Sequence, residues 1–219
     1  MVGALRAGLR EPRASYLAVA ALREAMYGNA PEARQRARAA LEWLPSRDVQ
    51  FGAAMAFAYA GDTEQAEALS HTLASQNPDD TLVQSNYLPV LRAKLMLDRG
   101  NSQEALTLLH EALPYELGAS RSSLLAWTSL YPIYVRGQAY WANQQPKEAL
   151  AEFDKILEHP GLSFNYPIGP MAQLQRAEIL AQSVRTEGAA LVFTTLREQW
   201  QDADPDFPVL RELAGFDAP

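Results

Sequence analysis

The chain has no cysteine, only three histidines and no apolar run approaching the roughly 18 residues that a membrane-spanning helix requires. Without cysteine there are no disulfides and no thiolate chemistry, which suits a reducing or an oxidising compartment equally, so the sequence assigns no location. Without a long apolar run, no segment is expected to insert directly into a bilayer. The opening MVGALRAGLREPRAS also lacks such a stretch, and a signal peptide is not expected there. Nor is there an excess of basic residues: 19 Lys and Arg against 26 Asp and Glu give a formal net charge of −7. The arginines are scattered rather than gathered on a face, which argues against a nucleic-acid partner. HExxH, GxSxG, Walker and paired CxxC patterns are all missing. No catalytic residue, cofactor site or metal site is therefore expected.

What the chain does have is a recurring phrase. It reads GNAPEA (28 to 33), GDTEQA (61 to 66), GNSQEA (100 to 105) and NQQPKEA (143 to 149), with a weaker RTEGA ending at Ala189. The closing alanines are 33, 39, 44 and 40 residues apart. Self-similarity at this interval is the mark of stacked supersecondary units. Each phrase lies between two helical patterns. In the fourth unit Tyr131 to Ala142 carries Ile133, Tyr134, Tyr140 and Trp141, the turn follows, and Ala149, Leu150, Phe153, Ile156 and Leu157 then give an amphipathic helix that Pro160-Gly161 is expected to end. The pattern predicts an all-α solenoid of about five helical hairpins, near 14 to 46, 47 to 85, 86 to 129, 130 to 169 and 170 to 203. A capping helix is expected over 204 to 219. With 48% apolar residues in 219, one continuous core can be buried.

These units resemble the tetratricopeptide (TPR) repeat, whose length is about 34 residues. The match places small residues mid-way along first helices (Ala21, Ala54, Ala93, Gly137, Ala177) and bulk three positions later (Phe57, Met96, Tyr140, Leu180). The phrase alanines open the second helices, and Leu109, Phe153 and Phe193 supply bulk four positions on. Glu24, Ala37 and Ser70 depart from the pattern. Small residues let helices approach closely while large ones fill the space between hairpins.

Several stretches, among them PSRDVQFGAA (45 to 54), NPDDTLVQSNYLPVLRA (77 to 93), LYPIYVRGQAYW (130 to 141) and WQDADPDFPVL (200 to 210), are similar to the C-terminal TPR region of bacterial, acidobacterial-type serine/threonine protein kinases. The resemblance runs from about residue 15 to 210. It implies a non-catalytic segment, since the kinase signatures HRD and DFG and a glycine-rich nucleotide loop are absent. Similar repeat regions also follow bacterial DNA-binding domains. The expected function is a protein or peptide interaction module, sensing or scaffolding for a parent kinase. The alternative is self-association into a homodimer that brings parent domains together.

In TPR proteins first helices line a concave groove for a peptide. The positions matching that lining are Asp48, Phe51 and Met55, then Tyr87, Val90, Lys94 and Leu97, then Tyr131, Tyr134, Gln138 and Trp141. For each, groove and core stay equally open. Gly52, Met55, Leu91 and Lys94 stand where a two-carboxylate clamp needs asparagine, so an acidic chaperone tail is not the expected ligand. His71 and His110, each five residues after a phrase alanine, read as exposed helix-face residues. Arg34, Arg36 and Arg38 read as a salt-bridged surface. The connections 114 to 129 and 161 to 170 either bind or plug gaps in the stack through Leu124, Leu125, Trp127, Phe164 and Tyr166.

Overall fold

The computed structural model describes residues 10–118, 129–163, 166–183, 187–203 and 208–210, at 183 and 187–191 by backbone alone. Leu124, Leu125, Trp127, Phe164 and nearly all of the expected 204 to 219 cap lie outside the described residues. Helices α1 (Arg10–Met26) and α2 (Ala30–Trp43) form the first hairpin, α3 (Arg47–Tyr59) and α4 (Thr63–Gln76) the second. A π-helical turn (Val83–Tyr87) leads into α5 (Leu88–Asp98), which pairs with α6 (Ser102–Leu109). Next come α7 (Tyr131–Ala142) with α8 (Pro146–Leu157), a short α9 (Pro160–Ser163), and α10 (Ile168–Ser183) with α11 (Glu187–Gln199). No strand occurs among the described residues. The fold is an all-α, TPR-like solenoid.

The phrase is legible as backbone chemistry. Gly28, Gly61 and Gly100 have φ of 88°, 75° and 80°, the left-handed conformation that closes a first helix. Each takes part in the paired hydrogen bonds of a Schellman turn: Gly61 N to Ala58 O at 3.1 Å with Asp62 N to Phe57 O at 2.8 Å, and Gly100 N to Leu97 O at 2.9 Å with Asn101 N to Met96 O at 2.9 Å. The next residue's carbonyl accepts the first bond of the second helix, from the phrase alanine itself: Ala33 N to Asn29 O, Ala66 N to Asp62 O, Ala105 N to Asn101 O and Ala149 N to Gln145 O, at 3.0 to 3.2 Å. All four alanines are fully buried. A larger side chain there would push the second helix off the first.

One departure from the repeat pattern is compensated locally. Glu24 is buried, but it accepts a hydrogen bond from Asn29 Nδ2 at 2.9 Å and pairs with Arg36 at 3.7 Å. Gly137 is small because Phe153 lies across it, and a Cβ there would sit 2.8 Å from Phe153 Cζ. One expectation is corrected. α8 ends at Leu157, and Pro160-Gly161 opens α9 rather than closing a helix. Proline suits a helix's first turn, where its missing N–H costs nothing.

First and second helices differ in how they are buried. In α3 every residue from Val49 to Ala58 is buried, and in α7 every residue from Tyr131 to Gly137. α2, α4 and α8 each bury only one stripe, such as Ala149, Phe153 and Ile156. A helix apolar on all sides is an interior helix, whereas one with a single stripe is a surface helix. The stack also closes on itself. Tyr27, in the turn between α1 and α2, meets Trp200 edge-on with centroids 5.9 Å apart, and a Cβ on Gly28 would lie 2.9 Å from Pro208 Cβ.

The fourth phrase has no glycine, and exposed Gln144 takes the left-handed position with φ 58°. That conformation costs a residue with a Cβ about 1–2 kcal/mol, part of which glycine's greater unfolded freedom cancels. Gln144→Gly should therefore raise stability by about 0.5–1 kcal/mol in a denaturant titration. A lower unfolding midpoint would contradict the turn geometry.

Candidate functional site

The first-helix positions do converge, but inward. Phe51 of α3 stacks flat on Tyr87, with centroids 3.8 Å apart and 3° between planes, and meets Tyr131 edge-on at 6.5 Å. Tyr134 packs edge-on against Phe153 at 5.7 Å. Phe51, Met55, Tyr87, Val90, Tyr131 and Tyr134 are each no more than 1% exposed. Of the two readings open for these positions, groove and core, the rings take the core, filling the interior that an open superhelix would leave as a groove. Of the positions read from the sequence, Asp48, Leu97, Gln138 and Trp141 remain half-buried, and Lys94 is 7% exposed.

The polar members are engaged with one another. Tyr59 donates from its hydroxyl to Gln138 Oε1 at 3.2 Å, linking the second hairpin directly to the fourth. Lys94 Nζ sits 4.7 Å from the Tyr59 ring centroid and pairs with Asp98 one turn on. The stem of Lys94 lies in the core while its charge is held at the edge. Burial pushes the Tyr59 hydroxyl well above its usual range, reinforced by Tyr134, Tyr131 and Asp98. Asp48 accepts from Tyr87 at 3.1 Å and from Arg47 Nε at 2.8 Å, while Arg47 Nη1 reaches Asp80 Oδ2 at 2.7 Å. Burial would raise the Asp80 carboxyl, but the hydrogen bonds from Arg47 and Val83 N–H outweigh it and hold the group below the ordinary carboxylate range. Asp48 is thereby a strut between the second and third hairpins.

Sequence reasoning missed Tyr59, whose role only the closure across hairpins reveals, and it missed the ion cluster that secures the long connection after the third hairpin. There Glu116 is buried and pairs with Arg136 Nη1 at 2.8 Å and with Lys155, while Arg136 Nη2 donates to Glu152 at 2.5 Å. Glu116 is thereby fixed to the fourth hairpin, while Tyr115 and Leu117 on either side of it are exposed. In the second connection Tyr166 packs against the core. His71 and His110 are exposed, and no group of three metal-ligating side chains occurs among the described residues. His159 Nδ1 donates to the Lys155 carbonyl at 2.8 Å, at the C-terminal end of α8. Arg34 bonds the Ala60 carbonyl and Arg38 pairs with Asp62, which ties the first two hairpins together, while Arg36 pairs with Glu32 within its own helix.

No family model and no curated protein matches the chain. Among solved structures it is similar to one described as the functional characterisation of Pseudomonas aeruginosa PilF, at 18% identity and a TM-score of 0.44 over 94% of this chain and 89% of that one. No helix among the described residues is long and apolar enough to cross a membrane.

The Tyr131 hydroxyl is buried among these rings with no hydrogen-bond partner among the described residues, and burial, together with Tyr166, Tyr27 and Tyr134 nearby, pushes its ionisation far above the usual range. An unpaired buried hydroxyl costs about 1–3 kcal/mol of desolvation, so Tyr131→Phe should leave stability unchanged or raise it by about 1 kcal/mol. A loss larger than about 1 kcal/mol in thermal or chemical unfolding would show that the hydroxyl serves a bond.

Proposed function

We propose that this chain is a non-catalytic protein-interaction module that serves as the sensing or scaffolding region of a bacterial serine/threonine protein kinase. The observation that carries the interaction reading is architectural. In the second to fourth hairpins the polar side chains of the inner first-helix face hold neighbouring units together, as Asp48, Lys94, Gln138 and Arg136 do. What remains for recognition on that inner face is shape and apolar area. The kinase setting is supported by the sequence resemblance from about residue 15 to 210, and a reading frame with no kinase domain would contradict it.

On the inner face a partner segment would meet the half-buried edge formed by Leu97, Gln138 and Trp141. Trp141 is the natural anchor, because an indole contributes much apolar area with few torsions to freeze and can also donate a hydrogen bond. Phe51, Tyr87, Tyr131 and Tyr134 would stand behind that edge and give it rigidity. The self-association reading would use an end of the stack, where α1 leaves apolar residues uncovered.

Panning a phage-displayed random peptide library on the immobilised chain should enrich sequences with regularly spaced apolar anchors. Gln138→Ala combined with Trp141→Ala should weaken an enriched peptide at least about tenfold in fluorescence anisotropy, with helicity by circular dichroism retained. An unchanged affinity would remove the inner edge as the site.

A further inference from the structure

The outer face of α1 is built unlike the outer face of any other described helix. Among the described residues nothing is stacked on this side of the first hairpin, and the outermost faces of a solenoid are ordinarily polar for solubility. Here Tyr16 is 65% exposed, and Leu17, Val19 and Ala20 are only partly covered. Together they floor a groove of about 690 Å³. The spacing 12, 16, 19, 23 and 13, 17, 20 is the face of a helix that expects another helix against it.

The rim of this groove is cationic. Arg13 and Arg23 line it, and Arg10 lies one turn before on the same helix. None of the three forms an ion pair among the described residues, in a chain whose net charge is −7. Arg13 is instead held in place by stacking on Trp43, its Cζ 3.8 Å from the ring centroid. Arg36, on the far side of the groove, already has Glu24 and Glu32 as partners. Three guanidinium groups without carboxylate partners, set beside an apolar floor, are complementary to carboxylates flanking an apolar stripe.

We propose that the α1 groove is a docking site for an acidic amphipathic helix of a protein partner. This rests on the interaction-module reading and deepens it, by giving the partner a secondary structure and a charge. Two other occupants fit less well. A second copy docked through the same face would set arginine rims against each other. Residues 1 to 9, MVGALRAGL, would add Arg6 and no carboxylate. The groove is concave, walled by α1 and by Arg36 of α2, which suits a cylinder better than a flat lipid surface.

The test uses two fluorescein-labelled synthetic helices of about 18 residues with identical leucine faces at i, i+3, i+4 and i+7, one flanked by glutamates and one by lysines. Fluorescence anisotropy with the full chain should show saturable binding of the glutamate peptide, about tenfold or more tighter than the lysine peptide and weakening as salt rises. Arg23→Glu should erase that preference, and Arg13→Glu with Arg23→Glu should reverse it. The single variant is informative even where loss of the Arg13 stack on Trp43 lowers stability. Equal binding of both peptides, or a preference that survives Arg23→Glu, overturns the proposal. So does a dimer in analytical ultracentrifugation that Tyr16→Asp abolishes, which assigns the face to a second copy. Co-sedimentation with phosphatidylglycerol vesicles that Tyr16→Asp and Arg23→Glu abolish assigns it to a lipid surface, and also overturns it. The glutamate peptide binding normally to the Gln138→Ala, Trp141→Ala variant separates this site from the inner edge.

Discussion

The stacking of Phe51 on Tyr87, with Tyr131 set edge-on to Phe51, is the contact on which the architecture turns. The three residues belong to three successive hairpins. A TPR stack whose first helices merely line a groove would keep the second and fourth hairpins apart. Here a ring from the second touches a ring from the fourth, so the curvature is tight enough to consume the concave side. Aromatic pairs contribute about 0.5–1.5 kcal/mol beyond the apolar area they bury, and the burial itself stabilises more than the ring geometry does. Once the rings meet, Val49 to Ala58 of α3 and Tyr131 to Gly137 of α7 have no solvent side left, which explains their all-round burial.

The closure has consequences at both ends. Tyr59 reaches Gln138, Tyr27 reaches Trp200, and Pro208 sits over Gly28, where only a residue without a Cβ leaves room. Gly28 thus answers two requirements at once, a left-handed turn and a close approach. Consecutive repeats normally interact only with neighbours, which makes stability a sum over units and the interfaces between them. Contacts between hairpins two and four, and between one and the C-terminal segment, tie distant units together and should make unfolding more cooperative than that of an open array.

Much of this was legible in the sequence, and the reasons are physical. The glycine-to-alanine phrase encodes a Schellman turn followed by a helix start, both of which are local and therefore written in adjacent residues. Helix α7 runs over the same residues, Tyr131 to Ala142, that the apolar spacing indicated. The inward role of Tyr87, Tyr131 and Tyr134 was not legible. An aromatic at a first-helix position has the same spacing whether it lines a groove or fills it, and only the curvature between hairpins separates the two. Tyr59, Glu116 and Arg136 escaped for a related reason, since Gln138, Lys155 and Glu152, which they bond, lie 79, 39 and 16 residues away in the chain. The uncovered stripe of α1 was hidden differently: a helix at the edge of a stack and an internal one carry the same apolar pattern, and the difference is whether anything is stacked on it.

The first helices of the second, third and fourth hairpins turn their aromatic rings into the interior rather than lining an open groove, and tyrosine nitration by tetranitromethane, mapped by mass spectrometry on the folded chain, tests this residue by residue. Tyr16 and Tyr115, at 65% and 45% exposure, should be modified readily, while Tyr87, Tyr131 and Tyr134, each at 1%, should be modified only after denaturant is added. Nitration of those three in the native chain at the rate of Tyr16 would contradict the closed interior.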